Sequence, residues 1–113
     1  IAFLSGDDFT VLPYVACGGD GVISVVGNIA PRAMKDLVVA ARKPDLAKAL
    51  ELQVAMAELN RMMFVETNPG PVKAAVALLG KASGELRLPL APVSEASLAK
   101  VRAAMVKFGL KVP

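Results

Sequence analysis

The sequence has no histidine, no tryptophan, one cysteine (Cys17) and one tyrosine (Tyr14). Without histidine there is no imidazole general base and no Ser-His-Asp or Cys-His pair, and the commonest transition-metal ligand is missing. A lone cysteine makes neither an intrachain disulfide nor a thiolate cage. Cys17 follows an apolar run and is expected to be a small buried hydrophobe. One unpaired thiol suits a reducing compartment, so a cytoplasmic location is expected. No metal ion or cofactor is expected. Basic residues are absent from residues 1–31, which carry only Asp7, Asp8 and Asp20, and all 13 Lys and Arg residues follow. They are spread singly with few aromatics between them, so the pI near 9.3 reads as solvated helix faces rather than a nucleic-acid surface. Long uncharged runs are also missing. Phe9 to Gly19 and Gly21 to Pro31 are the longest, well short of the roughly 18–20 residues that span a bilayer. No membrane partner is expected, and Ile1-Ala2-Phe3-Leu4-Ser5 lacks the features of a signal peptide.

What is present is apolar. Of 113 residues, 55% are hydrophobic and mean hydropathy is +0.54, against roughly 45–50% apolar in ordinary domains. That excludes a disordered chain. It is also more than so small an object can bury, so part of its surface is expected to be covered by something else. Strand-like residues begin at position 1 with no initiator Met, and a piece of a longer protein is expected.

Ile1 to Ser5 and Gly21 to Val26 are short apolar runs bounded by Gly and Asp, the pattern of buried parallel strands. Between them a helix is predicted from Asp8, its cap, to about Cys17, with Gly18-Gly19 as the stop and Pro13 as a kink. Asn28 is the expected N-cap of a helix with Pro31 in its first turn, reaching about Lys43. Pro44-Asp45 breaks and recaps the chain. Leu52, Met56, Leu59 and Met63 then form one stripe of a long helix. Thr67 to Pro71 is a rigid connection into a helix ending near Gly80, and residues 81–93 are irregular. Ser94 caps a last helix whose Leu98, Val101, Met105 and Phe108 share a face, and Gly109 ends it. Two parallel strands leave both edges unpaired and both faces apolar. The fold class expected is therefore α/β, with residues 1–43 as the last two βα units of a larger (β/α)8 barrel and residues 44–113 as a C-terminal helical domain.

Several motifs fail on inspection. Gly19 to Ser24 has Ser24 in place of the third Gly of a dinucleotide loop and enters a strand instead of leaving one. Ala16 and Gly18 stand where an EF-hand needs oxygen ligands. Gly80-Lys81 has Ala75 and Ala82 where a phosphate loop needs Gly and Ser or Thr. Two places survive: Ser5-Gly6-Asp7-Asp8 and Ser24 to Asn28, at the C-terminal ends of the two strands, where barrels carry their chemistry. Gly6 permits close approach of a ligand to the backbone. Asp7 and Asp8 either serve acid–base work or orient loops, or Asp8 simply caps a helix while Asp7 fixes a turn.

Leu4 to Asp8, Gly18 to Val25 and Asn28 resemble the last barrel strands of the dihydrodipicolinate synthase family, among the pyruvate-dependent Schiff-base aldolases that include N-acetylneuraminate lyase. Phe64 to Lys73 and Leu86 to Pro92 resemble that family's C-terminal helical region in the same order, so the resemblance covers essentially the whole chain. Gly6-Asp7-Asp8 with Gly21-Val22-Ile23-Ser24 is closer to the synthases than to the sialic-acid lyases. The resemblance implies a lyase condensing pyruvate with aspartate semialdehyde in lysine and diaminopimelate biosynthesis, through an imine on a Lys of the sixth strand. A Tyr, a Thr, a second-subunit Tyr and an Arg assist, and all would precede residue 1, as would a lysine-feedback site. By position, Gly6 and Ile23 match residues whose backbone contacts pyruvate, with Ser5, Asp7 and Asp8 in an adjoining site loop. The family also implies a homo-oligomer, with Pro13 and Cys17 near an interface. Lys35, Lys43 and Lys48 lie on predicted helices, where a solvated amine is a poor nucleophile. An acidic half-site alone does not attract two carboxylate substrates. The chain by itself is therefore expected to be inactive, with no catalytic residue of its own. Two other readings stay open: a related aldolase with a different aldehyde, and a truncated non-catalytic homologue that oligomerises.

Overall fold

The computed structural model describes residues 1–43 and 45–113. In chain order it contains β1 (Leu4–Ser5), α1 (Val11–Ala16), β2 (Gly21–Val22), a 3-10 turn (Val26–Asn28), α2 (Pro31–Arg42), α3 (Leu46–Met62), α4 (Gly70–Leu78) and α5 (Glu95–Phe108). Packing divides it into two compact units, Ile1–Ala57 and Glu58–Pro113.

In the first unit, β1 and β2 pair in parallel with Leu4 opposite Gly21 and Ser5 opposite Val22. The N–H groups of Asp20 and Ile23 donate to the carbonyls of Phe3 and Ser5, each at 2.8 Å, and extend the ladder by one step at either end. The strands are shorter than Ile1 to Ser5 and Gly21 to Val26, because the chain turns into the 3-10 helix at Val26. α1 packs on α2. α2 buries Met34, Leu37, Ala40 and Ala41, a stripe of helical spacing.

Three local expectations are corrected. Cys17 is exposed: the buried positions of α1 are Val11 and Val15, four apart, and Cys17 is the C-cap off that stripe. Asp8 does not cap α1, whose N-cap position is Thr10. Asn28 does not cap α2 either. The intervening 3-10 turn shifts that cap to Ala30, and the Asn28 amide instead donates to the Val25 carbonyl at 2.9 Å. Gly18, with φ of 103°, stops the first helix as expected. The predicted break at Pro44 lies outside the described residues, while Asp45 does recap the chain by accepting from the Lys48 N–H at 3.1 Å. Met56, Leu59 and Met63 are buried as the stripe requires, with Leu52 half-buried beside them.

The second unit packs α4 against α5. Ser94 caps α5 by accepting from the Ser97 N–H at 3.2 Å, and Gly109 ends it in the left-handed region at φ 94°. Val101, Ala104 and Met105 are its buried face. The irregular segment before α5 is tied down by Glu66, whose Oε1 accepts from the Ser94 N–H at 3.1 Å and from its hydroxyl at 2.7 Å. Hydrogen bonds from Ser97 first, and then from the Ser94 hydroxyl and backbone, hold the Glu66 carboxyl below its ordinary value of 4.5.

Two outcomes follow from these contacts. A group whose folded pKa is depressed stabilises the fold above its unfolded pKa and loses that contribution as pH falls through the folded value. Urea midpoints of the wild type and Glu66→Gln should therefore differ at neutral pH and converge once the solution is acidified below the ordinary carboxylate range. Separately, the Tyr14 ring occupies the place where a Cβ on Gly19 would sit. Gly19→Ala should displace the ring and destabilise the first unit by about 1–3 kcal/mol, measurable by urea unfolding and as a change in Tyr14 fluorescence.

Candidate functional site

Parallel pairing sends both strands out of the sheet at the same end. With Ser5 opposite Val22, the next positions in register are Gly6 and Ile23, so the two residues singled out as pyruvate contacts emerge as neighbours. Both are exposed, Ile23 to 72%, and Gly6 has nothing within 4 Å of the place a Cβ would take. Both residues thus stand uncovered at the C-terminal end of the sheet.

The polar side chains of these loops point elsewhere. Ser5 is buried, and its hydroxyl accepts from the Asp7 N–H at 3.1 Å and donates to the Asp7 carbonyl at 3.3 Å. Asp7 accepts from the Thr10 hydroxyl at 2.6 Å, which closes the same turn. Asp8 is 1% exposed. Its Oδ2 accepts from the N–H groups of Val25 at 3.0 Å and Val26 at 2.9 Å, the first donors of the 3-10 turn in the other loop. A carboxylate at such a turn satisfies backbone donors that have no partner within the turn and sits at the favourable end of its dipole. Ser24 completes the loop, its hydroxyl accepting from the Gly27 N–H at 2.7 Å. The Asp7 contact is that of a turn, whereas Asp8 ties one loop to the other. Asp20, the third acidic residue of this segment, lies at the opposite end of the sheet, where it accepts from the Phe3 N–H and faces Arg42.

One contributor carries no motif. Gln53 of α3 donates from Nε2 to the Asp8 carbonyl at 3.0 Å and accepts at Oε1 from the Leu12 N–H at 3.1 Å. Its sequence signal is only an amide beside the apolar stripe that starts at Leu52, and Asn60 on the same helix offers another. Among the described residues, no three His, Cys, Asp or Glu gather as metal ligands, and no helix is long and apolar enough to cross a membrane. No Lys lies on β1, β2 or the loops that follow them; Lys48 pairs with Glu51 on α3 at 2.8 Å, and Lys107 pairs with Glu58.

Comparison with known proteins gives a consistent family. The sequence matches the dihydrodipicolinate synthetase family over residues 1–107. It is 84% identical over 112 residues to a 4-hydroxy-tetrahydrodipicolinate synthase of Anaeromyxobacter dehalogenans, a match covering 99% of this chain and 38% of that protein. The fold superposes on the crystal structure of dihydrodipicolinate synthase from Aquifex aeolicus with a TM-score of 0.96 at 41% identity, over 99% of this chain and 38% of the other. A chloride-inhibited dihydrodipicolinate synthase from Acinetobacter baumannii, solved with pyruvate, gives a TM-score of 0.93 at 38% identity, over 98% of this chain and 38% of that one. The chain thus spans a little over a third of the length of the proteins it matches.

The buried position of Asp8 makes it the critical side chain of the two loops. Asp8→Ala removes two charge-assisted bonds and strands two backbone donors, and should cost about 2–4 kcal/mol in urea unfolding. Asp7→Ala, which loses one exposed hydroxyl contact, should stay within about 1 kcal/mol of wild type.

Proposed function

Because the chain belongs to the dihydrodipicolinate synthetase family, we propose that it forms the C-terminal part of a lyase that condenses pyruvate with aspartate semialdehyde, the chemistry of lysine and diaminopimelate biosynthesis. The single observation that carries this reading is 84% identity across 99% of the chain to a 4-hydroxy-tetrahydrodipicolinate synthase. Residues 1–43 are the last two βα units of a (β/α)8 barrel on this reading, and residues 44–113 the helical region that follows. The exposed apolar residues support it. Ile1, Phe3, Leu4 and Ile23 stand uncovered along a sheet of two strands. An open groove of about 520 Å³, lined by Leu4, Val22, Met34, Val38 and Val39 among others, runs beside them. These surfaces suit a barrel wall that continues on both sides.

Within that site, Gly6 and Ile23 offer backbone groups to pyruvate, while Ser5, Asp7 and Asp8 hold the loops in place. The covalent step belongs to a Lys on another strand: its amine adds to the pyruvate ketone, water leaves, and an imine forms. The whole lyase works as a homo-oligomer in the cytoplasm and needs no metal or cofactor, since the imine itself serves as the electron sink. The 113 residues alone make no imine.

Borohydride reduction in the presence of pyruvate tests the proposal, because it converts the imine to a stable secondary amine detectable by mass. The full-length polypeptide carrying this segment should gain one pyruvate-derived adduct, and the 113-residue chain should keep its mass. An adduct on the short chain, or turnover by it, would overturn the assignment of the reactive Lys to another strand.

A further inference from the structure

Gln53 lies on α3, outside both loops, yet its amide is matched at each end. Nε2 donates to the Asp8 carbonyl at 3.0 Å, and Oε1 accepts from the Leu12 N–H at 3.1 Å. A flipped amide would set oxygen against oxygen and N–H against N–H, so the two contacts fix one orientation. Asp8 is therefore held from both sides. Its backbone carbonyl is fixed by α3, and its side chain grips Val25 and Val26. Val25 follows Ile23 by two residues, and the Ile23 N–H is itself bonded to the Ser5 carbonyl. Any shift of the Asp8 backbone moves its carboxylate, and with it the loop that presents Ile23.

We infer that Gln53 is a positioning residue for pyruvate binding, setting the Ile23–Val26 loop through Asp8 from a helix outside both loops. The inference rests on the assignment of Ile23 to the pyruvate site made above. Because the link orients a binding loop and supplies no reacting group, its loss should appear in KM rather than in kcat.

The test uses the full-length polypeptide carrying this segment. Gln53→Met keeps length and loses both contacts; it should raise the pyruvate KM about three- to tenfold, the range that one hydrogen bond of ordinary strength supports, with kcat changed less than about twofold. Hydrogen exchange at the Val25 and Val26 amides should accelerate about tenfold in the same variant. Gln53→Glu keeps the acceptor for Leu12 but loses the donor for Asp8, and should raise KM in the same direction. Val54→Ala trims an exposed side chain of the same helix while keeping its backbone and the link intact, and should leave KM and both amides unchanged. Unchanged exchange at Val25 and Val26 in Gln53→Met overturns the inference, as does an equal KM rise in Val54→Ala. Failure of the wild type to trap pyruvate overturns the functional reading instead, and the amide exchange then decides the link from Gln53 by itself.

Discussion

The structure of the first unit depends on one buried carboxylate. Parallel strands have no hairpin to fix one against the other, and here the ladder is only two residues long on each side. The loops that leave its C-terminal end are far apart in sequence, so local turn chemistry cannot set their relative position. Asp8 does so, with two charge-assisted bonds to Val25 and Val26 across 17 and 18 positions. Those bonds offset the cost of taking the carboxyl group out of water, because each satisfies a donor at the start of the 3-10 turn. The surrounding bonds serve the same end. Ser5 and Thr10 shape the turn that delivers Asp8, and Ser24 shapes the turn that receives it.

The second unit uses a similar device in a wetter setting. Glu66 reaches across 28 positions to the Ser94 N–H and hydroxyl, and so joins the end of the irregular 81–93 segment to the start of α5. The Ser94 hydroxyl both donates to Glu66 and accepts from the Ser97 N–H. One side chain therefore caps the helix and anchors the loop before it. Gly70 and Val93 pack closely: a Cβ on Gly70 would lie 3.2 Å from Val93 Cγ1, so the valine would have to give by a few tenths of an ångström. Close packing and a carboxylate tether thus hold a stretch that forms no regular structure of its own.

Features governed by neighbours within one or two turns were legible in the sequence. Ser94 and Gly109 bracket α5, Gly18 stops α1, and Met56, Leu59 and Met63 bury as a helical stripe. The parallel pairing was legible too, since two apolar runs separated by a helix-forming segment can join in few other ways. Part of what escaped was decided by partners far along the chain. An Asp ahead of a helix reads as its cap, and only the folded chain shows that Asp8 caps a different turn. Asn28 misled because a 3-10 turn intervenes before Pro31, a detail with no local signature. Cys17 follows an apolar run, which suggests burial, whereas the spacing of Val11 and Val15 puts it off the buried stripe. Gln53 bears on the site through a contact 45 positions away, and no residue pattern announces such a bond.

On the proposed reading, the side chains of the two loops also explain how a segment without histidine, or a lysine near the strand ends, can serve an active site. A contribution made through backbone at Gly6 and Ile23 asks nothing of side-chain pKa. It asks that two peptide segments keep their places to within a fraction of an ångström, because a displaced loop loses binding without any change in chemistry. The polar groups nearby are spent accordingly. Ser5, Asp8 and Ser24 turn to backbone groups, and Asp7 turns to the Thr10 hydroxyl. On the proposed reading, labour in the site is divided by segment: another strand supplies the reactive amine, and these residues supply a rigid floor. A rigid floor demands buried, satisfied polar groups rather than exposed reactive ones, and that is the arrangement these loops display.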